Sequence, residues 1–213
     1  PEKREKERGR ARERQQLPRF LVACPATLLD HWLREMRTWA PSLRAVLLHR
    51  LSSSFCELEA EGYGLDLLLQ DMCQHHVPGG HGVVAICTYE GLRTHRSALL
   101  SIDWTVVCLD EGQKIRNPAS DITLISKIIS AQHRVILSGT PIQNSLKELW
   151  SLFDFVCPGR LGTLPAFERE IETPIRQGGF KTANQLQVEI AVRTAATLQR
   201  MLKPYLLRRR KTG

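Results

Sequence analysis

Five short apolar runs, separated by segments with helical periodicity, constrain the fold of this chain more than any other feature. RFLVAC (19–24), RAVLLH (44–49), GVVAIC (82–87), WTVVCL (104–109) and RVILS (134–138) are rich in β-branched residues, and most are apolar on consecutive positions. A strand with one face in water alternates, whereas a continuously apolar run suits a strand covered on both faces. Between the runs, Leu28, Leu29, Trp32, Leu33, Met36 and Trp39 recur at helical spacing, with Thr27 placed to cap the helix and Arg34 and Arg37 on its outer side. Asn117 and Pro118 offer a cap and a first-turn proline ahead of Ile122, Ile125, Ile128 and Ile129. A further helix after Asn144 would bury Leu146, Leu149, Trp150 and Phe153. Strand and helix alternate, which predicts an α/β fold with a mostly parallel sheet and helices on both faces.

Charge and composition divide the chain. Residues 1–19 carry eight Lys/Arg against four Glu with almost no apolar side chain, so they read as a charged linker or an exposed helix. Residues 20–156 hold the strands and form the expected sheet domain. After Val156 the runs stop, and 157–213 reads as a helical extension: a PGRLG loop, a short helical patch, a break at Gly178-Gly179 and a long helix from about Gln185 to Leu202. Residues 50–80 are looser, with one helix expected near Leu65 to Met72.

The formal charge of +8 sits largely at the two ends, leaving one net negative charge on residues 20–202. The middle is therefore no broad basic surface, and any nucleic-acid contact there has to come from a few placed groups. Six scattered cysteines without a CxxC pair fit reduced thiols of a cytosolic or nuclear protein better than a disulfide framework. Cys73, His75, His76 and His81 lie near one another, but no pairing of the usual spacing completes a tetrahedral zinc set. The longest uncharged apolar runs are strand-length, short of the roughly 20 residues of a membrane helix, and no apolar signal segment follows Pro1. A soluble, non-secreted chain with no membrane partner is expected.

The sharpest chemical feature is VVCLDEGQ. An apolar strand ending at Leu109 is followed at once by Asp110 and Glu111, which places two carboxylates at the C-terminal edge of a parallel sheet, where such sheets bind ligands. Asp110 suits a Mg²⁺ ion held through water and bridging nucleotide phosphates, and Glu111 suits orientation of an attacking water. A solvated acidic turn would read the same from these two residues alone. RVILSGTP adds a second strand whose end brings Ser138, Gly139 and Thr140 to the same edge, where small hydroxyls can sense a phosphate without adding charge. Alone, it is also a strand followed by a turn.

LDEGQ and LSGTPIQN together resemble motifs two and three of the superfamily-two helicases, in the family's order. The resemblance runs on from Phe20. FLVACPATLLDHWLREMRTWAP is similar to motif Ia and its helix, and ICTYEGLR to motif Ib. DEGQKIRNP, LSGTPIQNSLKELWSLFDFVCPG and PYLLRRRK resemble the SWI/SNF branch in particular. The stretch PGRLGTLPAFEREIETPIRQGGF, with the terminal PYLLRR, is similar to the Cockayne syndrome B-like subfamily of that branch. The resemblance implies a RecA-like first motor lobe of a DNA-dependent ATPase that uses ATP and Mg²⁺ and translocates along duplex DNA in the nucleus. It further implies work at stalled RNA polymerase II with repair factors, in transcription-coupled nucleotide excision repair, without strand separation. It also implies that Gln113, Ser138, Gly139 and Thr140 couple the nucleotide site to movement. By the same resemblance Thr27 and Thr88 contact phosphates of the tracked strand, with Tyr89, Lys114, Arg116 and Trp32 as weaker candidates and Trp32 better read as core.

Two departures bear on activity. No GxxxxGK[ST] occurs in the 213 residues, and the family's second lobe is not among them, so a phosphate loop is expected upstream of Pro1 and the isolated chain is expected to be inactive. Gln113 stands where the family usually has His; an amide can still donate and accept there. A non-catalytic DNA- or polymerase-binding relative, or a nucleosome remodeller outside repair, are the competing readings. The upstream loop and the effect of loss on repair of transcribed strands distinguish them.

Overall fold

The computed structural model describes residues 17–48, 81–139 and 145–209. Among the described residues five strands form one sheet: β1 (Arg19–Cys24), β2 (Arg44–Leu48), β3 (Val83–Thr88), β4 (Trp104–Asp110) and β5 (Ala131–Leu137). Every pairing is parallel and the order is β2-β3-β1-β4-β5. Continuous apolarity has the predicted consequence. Leu21 and Ala23 of β1, Ala85 and Cys87 of β3, and Val107 and Leu109 of β4 enter one core, while Val22, Cys24, Val84 and Ile86 enter the other. The fold is the expected parallel sheet with helices on both faces.

One face is covered by α1 (Leu29–Trp39), through Leu29, Trp32, Leu33 and Met36. The helix departs from expectation at both ends. Thr27 does not cap it: Ala26–Leu28 form a 3-10 turn, Leu28 stands at the N-cap without a side-chain bond, and Thr27 is exposed. Trp39 lies off the apolar face, 80% exposed, and donates its indole N–H to Glu35 one turn back.

The other face carries α2 (Tyr89–Thr94), α3 (Arg96–Leu100), α4 (Asp121–Ile128) and α5 (Leu146–Val156), which bury Leu92, Leu99, Ile125 and Phe155. Thr88 caps α2, its Oγ1 accepting from Gly91 N at 2.9 Å. The expected Asn117–Pro118 start of α4 is corrected to Ser120. Asn117 Oδ1 is taken by Ala119 N in a tight turn, and Ser120 then accepts from Thr123 N. β5 begins three residues before the RVILS run, because Trp104 pairs with Ala131 despite the polar Gln132 and His133. β5 also departs from burial on both faces: Val135 and Leu137 are exposed on this last strand of the described sheet.

Helix α5 faces two ways. Leu152 and Phe155 join the sheet core that holds Leu21 and Val107, while Leu149, Trp150 and Phe153 anchor a third cluster with Leu161, Phe167, Leu198 and Leu202. That cluster is built from α6 (Leu164–Phe167), a π-helical turn (Glu168–Glu172), α7 (Thr173–Gly178) and α8 (Gln185–Leu202). Helix α8 has the bounds the sequence predicts and a complete capping box between Asn184 and Gln187. Gly178 permits the α7–α8 crossing: a Cβ there would lie 2.3 Å from Ala191 Cβ and 2.7 Å from Gln187 O.

The helix expected near Leu65 to Met72, the residues Cys56, Cys73, His75 and His76, and most of the 1–19 segment lie outside the described residues. Cys24, Cys87, Cys108 and Cys157 are free thiols. Among the described residues no helix is long and apolar enough to cross a membrane.

Candidate active site

Because the sheet is parallel, β1, β3, β4 and β5 all present their C-terminal ends at one edge. Asp110 is the last residue of β4 there, half-buried, and it is held at three points. Trp32 Nε1, from α1, donates to Asp110 Oδ2 at 2.8 Å. Glu111 N donates to Oδ1 at 2.9 Å, and the Tyr89 hydroxyl donates to the Asp110 carbonyl at 2.8 Å. A carboxylate has about four lone-pair positions, so two N–H donors on separate oxygens fix its plane and leave acceptor capacity on both.

The chain then turns abruptly. Glu111 has φ 53°, the one non-glycine positive φ among the described residues, which turns it out of the strand into a 3-10 turn at Gly112–Ile115. Strained backbone of this kind costs on the order of 1–3 kcal/mol and persists where surrounding structure enforces it. The enforcement is visible. Ile115 is fully buried, its carbonyl accepts from the buried Ser151 Oγ of α5 at 2.8 Å, and Arg116 lies 4.0 Å from Glu148 of the same helix. Gly112 is buried against β5, where a Cβ would stand 2.3 Å from Ile136 Cγ2.

From Glu111 a hydrogen-bonded line leads to the next strand. Gln113 Nε2 donates to Glu111 Oε2 at 2.7 Å, and Ser138 Oγ, just past β5, donates to Gln113 Oε1 at 3.0 Å. An amide carries a donor and an acceptor at fixed spacing, so Gln113 serves both neighbours at once. Burial is the first cause, and the Asp110 charge the second, of the Cys24 and Cys108 thiols being pushed up from 9.0 to about 12. The Tyr89 phenol is raised for the same two reasons and stays a neutral donor.

The sequence-predicted residues thus fall into two groups. Asp110, Glu111, Gln113 and Ser138 form one connected constellation, with the exposed Gly139 beside it, while Thr140 lies outside the described residues. Thr27, Lys114 and Arg116 are exposed around the same edge, and Thr88 is half-buried with its hydroxyl engaged at the α2 cap. Tyr89 is only 6% exposed, with its hydroxyl on Asp110, so its ring belongs to the core and not to an outer surface. Trp32 packs against the core as expected, yet its indole also reaches the key carboxylate. Periodicity signals the first property and carries no trace of the second.

As a metal site the donor set fits Mg²⁺, which is bound through one or two carboxylates plus phosphates and water, without a protein cage. Among the described residues no group of three or more His, Cys, Asp or Glu could hold an ion unaided.

The chain is 40% identical to the DNA repair and recombination protein RAD26 of Saccharomyces cerevisiae, covering 89% of this chain and 20% of that protein. It is 41% identical to the DNA excision repair protein ERCC-6 of Homo sapiens, covering 90% of this chain and 12% of that one. The chain therefore spans a fifth or less of these relatives. The solved SWI2/SNF2 ATPase core of Sulfolobus solfataricus in complex with dsDNA superposes with a TM-score of 0.64 at 29% identity, over 96% of this chain and 36% of that one. The SNF2-related domain family matches residues 3–213, and the chain belongs to that family.

Proposed function

We propose that this chain is the carboxylate-bearing part of a first motor lobe in a DNA-dependent ATPase that translocates along duplex DNA. The observation that carries the reading is the unbroken line Asp110–Glu111–Gln113–Ser138 at the C-terminal edge of the sheet. Residues 20–156 would form the RecA-like lobe and 157–213 a helical extension toward a second lobe.

Asp110 would hold Mg²⁺ through water; the ion, when bound, neutralises phosphate charge on ATP. Glu111 keeps Oε1 available while Gln113 occupies Oε2, so the free oxygen would orient and deprotonate the attacking water. Gln113 holds Glu111 on one side and the Ser138 hydroxyl on the other. A shift of the β5 end would therefore be felt at the general base, the coupling a motor needs. Glutamine preserves this linkage in place of histidine, which favours a working motor over a degenerate one.

Thr27, Thr88, Lys114 and Arg116 would contact phosphates of the tracked strand, supplying register without sequence readout. Tyr89 would act only beneath that surface. The repair names of the two relatives support a role in DNA excision repair; the resemblance to the Cockayne syndrome B-like subfamily would add that this repair is coupled to transcription, in the nucleus, at stalled RNA polymerase II and with repair factors as partners.

The test is ATP hydrolysis by the full-length protein with and without duplex DNA. Stimulation by DNA is expected, and Ser138→Ala should lower the stimulated rate more than the basal one. No hydrolysis under either condition would sink the enzymatic reading in favour of a non-catalytic binding relative.

A further inference from the structure

We propose that Trp32 is a positioning residue for the metal-holding carboxylate, and that its indole N–H, more than its bulk, is what the site requires. This rests on the ATPase reading above. An aspartate carboxylate rotates easily, since its terminal torsion is broad and two-fold. Asp110 sits at a strand end, half-buried, where nothing in the strand ladder fixes that rotation. The donors that fix it come from outside: Trp32 Nε1 on Oδ2 at 2.8 Å and Glu111 N on Oδ1 at 2.9 Å. Only the first is a side chain, and it comes from 78 residues away. Hydrogen bonds to an ionised acceptor are roughly twice as strong as neutral ones, and 2.8 Å lies in their usual range.

The indole is itself well anchored. Its ring packs into the α1 face of the sheet, in the cluster that includes Phe20, Met36 and Cys108, so the N–H direction is set by how α1 seats on that face. Leucine or phenylalanine could fill that position, but neither could donate. A tryptophan whose body is apolar and whose single donor ends on a charged oxygen uses both halves of the side chain. Tyr89, from the first turn of α2, secures the backbone of the same aspartate at 2.8 Å. Asp110 is thus pinned by two aromatic donors from the segments that follow β1 and β3.

Outer-sphere groups that orient a metal-binding side chain typically contribute on the order of 10- to 100-fold in metal affinity. The test uses the full-length protein and its Trp32→Phe variant, with Mn²⁺ binding in the presence of a non-hydrolysable ATP analogue followed by electron paramagnetic resonance. The Mg²⁺ half-saturation of hydrolysis is measured alongside. Trp32→Phe is expected to weaken Mn²⁺ binding and raise the Mg²⁺ half-saturation by about tenfold, with the rate at saturating Mg²⁺ far less affected. Tyr89→Phe should shift both in the same direction by a smaller factor, and it keeps the question open to measurement if Trp32→Phe folds poorly. A packing role alone would lower thermal stability and leave metal binding unmoved; unmoved Mn²⁺ affinity in the variants that fold overturns the proposal. If the unmodified protein binds no Mn²⁺ with the analogue, the ATPase reading fails and this inference with it. Normal binding by the unmodified protein beside unmoved variants removes this inference alone.

Discussion

Glu111 and Gly112 concentrate the local constraints of the site in two consecutive residues. Glu111 adopts a left-handed conformation that turns its carboxylate out of the strand, and Gly112 follows because a Cβ would collide with Ile136. Gly112→Ala is expected to destabilise the chain by about 1–3 kcal/mol, the usual cost of overpacking, read as a lower urea midpoint. An unchanged midpoint would mean that Ile136 yields without cost. At this scale the sequence was legible where chemistry is carried by adjacent residues: Asp110, Glu111, Gln113 and Ser138 can all be picked out by type and order. It was opaque where a side chain has two uses. The spacing of Trp32 reports only that it faces the core, and nothing local reveals where its N–H ends. Tyr89 is the converse case, since its neighbour Thr88 reaches the sheet edge while Tyr89 turns inward as the first residue of a helix.

At the scale of elements, continuous apolar runs gave the parallel strands, and the alternation of Leu21 and Ala23 against Val22 and Cys24 between two cores shows why no polar face could be spared. β5 resisted the same reasoning because its first residues are placed by the ladder with β4, not by hydrophobicity. The start of α8 fell where the sequence placed it, with Asn184 as the cap in the structure, whereas Asn117 misled as a cap because it had a nearer partner in Ala119. The packed ends of β1 and β4 also make stability depend on pH. Cys24 and Cys108 hold their protons up to about 12 in the folded chain against 9.0 ordinarily, so above 9.0 the unfolded chain binds fewer protons than the folded one. Their contribution is full below that value and declines as pH rises toward about 12, with Tyr89 acting in the same direction from 10.0 upward. The urea midpoint should therefore be lower at about pH 10 than at about pH 8. Equal midpoints would contradict the burial of these groups.

For the described residues as a whole, two of the three apolar clusters share one helix. Helix α5 packs Phe155 under the sheet and Phe153 into the helical extension, while its Ser151 grips the turn that carries Lys114 and Ile115. Among the described residues α5 thereby ties the candidate site to the extension, and in the proposed motor it would pass movement toward the second lobe. Everything proposed for the parent protein depends on the two carboxylates having separate roles, Asp110 in binding and Glu111 in hydrolysis. The most direct measurement is Glu111→Gln in the full-length protein, with nucleotide binding and DNA-stimulated hydrolysis followed in parallel. Loss of a general base predicts hydrolysis reduced by about 10²- to 10⁴-fold with Mg²⁺–ATP binding retained. Hydrolysis at the unmodified rate in that variant would contradict the account.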